Sequence, residues 1–116
     1  MNPTSPSQLR GLTAAQAASL PPLLLALWHD AQGNWEQSHA VAQEIATPGG
    51  SWVHAYLHRK EGDDWNAGYW YRQAGKSPSR NTLDQEWERI AATLLAEGIP
   101  TVDSCNSVSD SQKEGF

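Results

Sequence analysis

The sequence predicts an all-α chain built from antiparallel helical hairpins. Three observations predict it. No stretch alternates apolar and polar residues over the length of a strand. Several stretches place apolar residues three and four apart, the spacing of one helix face. Two stretches also repeat one another: "ALWHDAQGN" at 26–34 and "AYLHRKEGD" at 55–63. Ala26 matches Ala55, His29 matches His58 and Gly33 matches Gly62; after one inserted residue, Trp35 meets Trp65. Self-similarity at a period near 30 residues marks stacked helix pairs.

In chain order, residues 1–8 are rich in Pro, Ser and Thr, and 1–12 are expected as a flexible N-terminal arm. Thr13 before "AAQAA" starts a short helix. Pro21 and Pro22 interrupt it and suit the first turn of the next, where a missing N–H costs nothing. That helix runs to about Gln32 and stops at Gly33. "NWEQSHAVAQEIA" reads as its partner, with Trp35, His39, Ala42, Ile45 and Ala46 on one side, and "TPGG" is expected to end it. Ser51 is the expected cap of a third helix over 52–61, whose apolar face is Trp52, Val53, Tyr56 and Leu57. A fourth helix covers 64–74 with Asp64 as N-cap. "GKSPSRN" is a loop. The fifth helix, 83–97, has the clearest stripe: Leu83, Trp87, Ile90, Ala91 and Leu94, with Thr82 and Gln85 spaced as a capping box. Residues 13–98 thus form one domain. The Ser-rich segment 99–116 is expected to be a polar, flexible tail that packs little.

The order of aromatic helix, Gly-Asn or Gly-Asp, aromatic, helix resembles tetratricopeptide repeats, with Ser38 where such repeats usually carry alanine. "NAGYWYRQAG" is similar to the related Sel-one-like subclass, through Ala67, Trp70, Tyr71 and Ala74 in the spacing A-x-x-W-Y-x-x-A. The resemblance covers about residues 21–75. It implies a short tetratricopeptide-like array and no particular ligand. Segments "WHDAQGNW" and "HAYLHRKEGD" also resemble those of small bacterial proteins, which implies no activity. Two hairpins fall short of the three or so repeats an open stack needs, so the fifth helix is expected as a C-terminal cap on the second hairpin.

Composition bounds the function. The chain has 116 residues, enough for one small core, and six tryptophans to fill it. A net charge of −5 argues against nucleic acid. A single cysteine, Cys105, excludes an internal disulfide and points to a reducing, cytoplasmic setting. The N-terminus lacks the basic-then-apolar order of a signal peptide, and "LPPLLLALW" is too short to cross a bilayer, so no membrane association is expected.

Four histidines lie within 30 residues: His29, His39, His54 and His58. His54 and His58 share a helix face and could chelate a metal, with Glu61, His29 or Asp30 as third ligand; "HAYLH" is not the zinc-peptidase pattern, because no glutamate follows His54. The repeat alignment makes His29 and His58 candidate neighbours. His29 and Asp30 are adjacent on a helix and point apart, and no nucleophile elbow or phosphate loop is present. Five of the eight basic residues, Arg59, Lys60, Arg72, Lys76 and Arg80, crowd around Trp65, Tyr69 and Tyr71. Trp65, Tyr69 and Arg72 share the fourth-helix face opposite Ala67, Trp70, Tyr71 and Ala74. The leading expectation is therefore a non-catalytic binding module for a peptide, a protein partner or a small anionic ligand, without cofactor. Its expected binding residues are His29, His54, His58, Arg59, Tyr69 and Arg72. Two alternatives stand beside it: a metal-dependent hydrolase using His54 and His58 with Glu61, and a homodimeric scaffold.

Overall fold

The computed structural model describes residues 3–97, and among these it contains seven helices and no strand. They are α1 (Pro6–Arg10), α2 (Ala14–Ala17), α3 (Pro22–Ala31), α4 (Trp35–Ala42), α5 (Pro48–Lys60), α6 (Asp64–Ala74) and α7 (Leu83–Glu97). No helix is long and apolar enough to cross a membrane. The expected tail, with Cys105, lies outside the described residues.

The two repeat-related turns use the same local chemistry. Gly33 and Gly62 take positive φ values of 85° and 90°, a backbone shape that an L side chain resists. The following amides then close the same reversed bond, Asn34 N–H to His29 O and Asp63 N–H to His58 O, both at 2.9 Å. Asn34 and Asp63 go on to cap the next helices by accepting from the amides of Gln37 and Asn66. Asp63 therefore takes the capping role expected of Asp64.

"TPGG" starts a helix instead of ending one. Thr47 Oγ1 accepts from Gly50 N–H at 3.0 Å, and Pro48 occupies the first helical position. Helix α5 thus begins four residues before Trp52, and Ser51 is interior to it. Gly50 is required by space: a Cβ there would stand 2.1 Å from the Ile45 carbonyl oxygen. Helix α4 ends at Ala42, so Ile45 and Ala46 lie beyond it.

Helix α5 is the hub of the fold and packs on α3, α4, α6 and α7. With neighbours on so many sides it has no free face along its middle, and every residue from Gly50 to Leu57 is buried. The core gathers Leu24, Leu27, Val53, Leu57, Trp87 and Ile90. Tryptophan N–H groups tie the helices together: Trp87 donates to Leu27 O at 3.0 Å, and Trp35 to Leu57 O at 2.8 Å. Ser38 is fully buried and donates to Ala26 O at 2.6 Å, which accounts for a hydroxyl at the α3–α4 contact.

Helix α7 lies across α1, α3 and α5 and reaches α6 through the Glu86–Tyr71 hydrogen bond. The N-terminal segment is not a loose arm over its described part. Leu9 is completely buried, Arg10 lies 4.0 Å from the Trp87 ring centroid, and Trp28 donates to Leu12 O at 2.9 Å. One apolar side chain and one stacked guanidinium dock a helix that composition alone hides.

Candidate functional site

Helices α4, α5 and α6 bring three imidazoles and two indoles into one cluster. Trp35 and His39 are one turn apart on α4, and their rings stack at 4.8 Å with an interplanar angle of 11°. His54 and His58 are one turn apart on α5, with ring centroids 4.8 Å apart. From α6, Trp70 stacks on His54 at 4.0 Å. Nε2 of His39 and Nε2 of His54 stand 2.8 Å apart, so one donates and the other accepts. His58 offers Nδ1 to Glu61 Oε2 at 2.6 Å. One nitrogen from each of the three histidines lies within 4.8 Å of one from each of the others.

The electrostatics keep the inner rings neutral. Burial, reinforced by His39 and His58, pulls His54 down to about 4. Burial and His58 also lower His39, against an opposing pull from Glu61. Both rings therefore carry an unprotonated nitrogen at neutral pH.

Beside the cluster, the outer face of α6 stands in solvent. Trp65 is 78% exposed and Tyr69 41%, the two exposed large hydrophobic residues among those described. Arg72 continues their stripe; one of its guanidinium nitrogens would lie 3.7 Å from a Cβ placed on Gly68, one turn back. Among the described residues Arg72 forms no ion pair. Tyr69 packs edge-on against Trp70, so the exposed stripe and the histidine cluster touch.

Several expected site residues are engaged in buried ion pairs and hydrogen bonds. Arg59 donates to buried Glu86 at 2.8 Å and to the Asn81 carbonyl. Glu86 also accepts from Trp52 Nε1 at 3.2 Å and from Tyr71 OH at 2.5 Å. Lys60 donates to buried Asp30 at 2.9 Å, and Tyr56 OH to the same carboxylate at 2.8 Å. Asp30 is thus consumed as a possible metal ligand. Burial first, then the adjacent carboxylates, raise both tyrosines well above the ordinary phenol value and keep them donors.

His29 packs edge-on against Trp28 at 5.3 Å and does not join the cluster. Equivalence in the repeat gives His29 and His58 the same turn, not a shared site. His39 is the histidine that sequence reasoning passed over. Its signal was present, since it shares a face with Trp35, but that face reads as core until α5 is laid against it. Glu61 holds His58, and the set containing both His54 and His58 is completed by His39. His54 was expected off the packed face and is buried, because α6 covers that side of α5.

A separate cleft of about 360 Å³ lies between α5, α6 and α7, with Lys76, Arg80 and Arg89 at its rim and Glu86 in its wall. Lys76 leans on the Trp52 ring at 4.1 Å. This basic cleft contains none of the histidines.

Comparison with known proteins returns no matching family model, no matching curated protein and no matching solved structure.

Proposed function

We propose that the chain is a non-catalytic helical-repeat binding module that captures an acidic, apolar-bearing segment of a partner protein on the outer face of α6. The exposure of Trp65 carries the reading. A tryptophan with most of its surface in water forgoes roughly 1.5–3 kcal/mol of burial, and a partner would recover it. Tyr69 widens the apolar stripe and Arg72 supplies a cation for a carboxylate; Trp, Tyr and Arg are the residue types that dominate binding energy at interfaces.

The repeat architecture supports the same surface. Helix α3 packs on α4, α5 on α6, and α4 on α5, as two stacked hairpins would. A further hairpin would stack against α6, and α7 lies instead over α3 and α5. Two of the expected ligand residues, Tyr69 and Arg72, remain in the proposed surface; Arg59 and His29 do not. The small-anion version is less favoured, because the basic cleft has the buried Glu86 carboxylate in its wall.

Selection of displayed random peptides on the immobilised full chain tests this. Wild type is expected to enrich peptides with a carboxylate beside a large apolar residue, and Trp65→Ala with Arg72→Glu to weaken their binding at least about tenfold. Equal enrichment by wild type and the double variant would sink the reading. So would concentration-dependent dimerisation that Trp65→Ala abolishes, which would assign the face to a second copy.

A further inference from the structure

We infer that His39, His54 and His58 form a binding site for one divalent transition-metal ion of the zinc type, tying α4 to α5. Donor chemistry, spacing and orientation each support it, independently of the α6 surface. All three donors are imidazole nitrogens, which suit zinc, cobalt, nickel and copper; the trio offers no oxygen to magnesium or calcium.

The spacing fits after small ring movements. A tetrahedral site with metal–nitrogen bonds of about 2.0–2.1 Å separates its nitrogens by about 3.3 Å. The His39–His54 pair stands slightly inside that separation at 2.8 Å, and the whole set spans no more than 4.8 Å. Rotations that move each nitrogen by about an ångström or less bring the set into place.

Orientation is built by neighbours. Glu61 holds Nδ1 of His58 and leaves Nε2 as the free lone pair, the carboxylate–histidine arrangement that fixes a ligating tautomer. Trp35 and Trp70 stack on His39 and His54 and set their ring planes. Among the described residues, the one side-chain hydrogen bond of His39 and of His54 is the bond between them. A cluster serving only to pack would gain more from pairing each imidazole with a carboxylate or a carbonyl. Three protein ligands leave a fourth position for water or a partner's donor, and the half-buried His39 and His58 keep it within reach of solvent.

The test uses the full chain, stripped with chelator, in a Cys105→Ser background so that no thiolate competes. Co²⁺ alone and Zn²⁺ alone are titrated. One equivalent of Co²⁺ is expected to give the visible absorption of a four-coordinate nitrogen site, and Zn²⁺ to displace it. Zn²⁺ at a hundredfold excess over Kd should raise the melting temperature by about 10 °C or more. His39→Gln and His58→Gln should each weaken Zn²⁺ binding at least about 100-fold, and Glu61→Gln by about 10- to 100-fold. His29→Gln should leave it unchanged. Should a glutamine variant lose helicity, imidazole ¹⁵N resonances of the parent decide: Zn²⁺ must shift His39, His54 and His58 and spare His29. Absence of saturable binding near one equivalent overturns the site. So does an affinity in folded His39→Gln and His58→Gln within about threefold of the parent.

Discussion

Two kinds of polar cluster surround α5, and they are built on opposite rules. Asp30 and Glu86 are buried carboxylates; each accepts from a tyrosine hydroxyl, Tyr56 of α5 or Tyr71 of α6, and each meets a cation from α5. Every charge has its complement, as burial demands. The histidine cluster gathers three groups of the same kind, with Glu61 at its edge as the one carboxylate partner. Complementary pairing locks helices together. Like groups assembled in one place leave lone pairs unspent, and the metal site proposed above would use them. The difference separates groups whose bonding capacity the fold uses up from groups that keep donors available.

The contrast breaks most sharply at Glu86. Replacing it by alanine strands the Arg59 guanidinium and leaves Trp52 N–H and Tyr71 O–H without their acceptor, so unfolding free energy should fall by about 3–5 kcal/mol. Urea denaturation measures this; a loss under about 1 kcal/mol would mean that the carboxylate is no keystone.

Acid should act next most strongly, and through the other cluster. In chelated protein, native His54 titrates near 4 and the unfolded residue near 6.5. Above pH 6.5 both states are neutral there and His54 contributes nothing. Between the two values the unfolded chain binds a proton that the native chain refuses, so stability falls as pH falls across that window. The full loss is about 3 kcal/mol below about pH 4. His54→Leu should flatten this part of the profile. An unchanged acid slope in that variant would remove His54 as its source.

At neutral pH His54→Leu should cost the chelated chain no more than about 1 kcal/mol, because the site is already apolar on its Trp70 side and only a neutral hydrogen bond is lost. A cost like that of Glu86→Ala would place the histidines with the framework. The smallest effect belongs to Trp65→Ala, which should change stability by less than about 0.5 kcal/mol while weakening the proposed partner binding. A larger loss would show that Trp65 packs on the fold.

Much of the helical order was legible beforehand. The stripe from Leu83 to Leu94 matches α7, and the Gly33–Asn34 and Gly62–Asp63 turns mark two helix pairs. Elsewhere local signals competed. "TPGG" carries both a breaker and a starter, and the Thr47 cap with Pro48 behind it prevailed because Gly50 lets Ile45 approach. Leu9 and Arg10 were hidden in a polar segment, since one buried leucine makes no period.

By itself, the sequence determined the all-α class, the repeated hairpin turns and the exposed stripe of Trp65, Tyr69 and Arg72. Those follow from periodicity and turn chemistry, which act over a few residues. Only the tertiary structure decided which histidines meet. His39 and His54 are fifteen positions apart and share no helix, and their contact exists because α4 lies on α5. It also decided that Arg59 and Lys60 pair with buried carboxylates, because the carboxylates they meet come from α7 and α3. Local pattern records what each helix can offer; packing selects the partner that takes it.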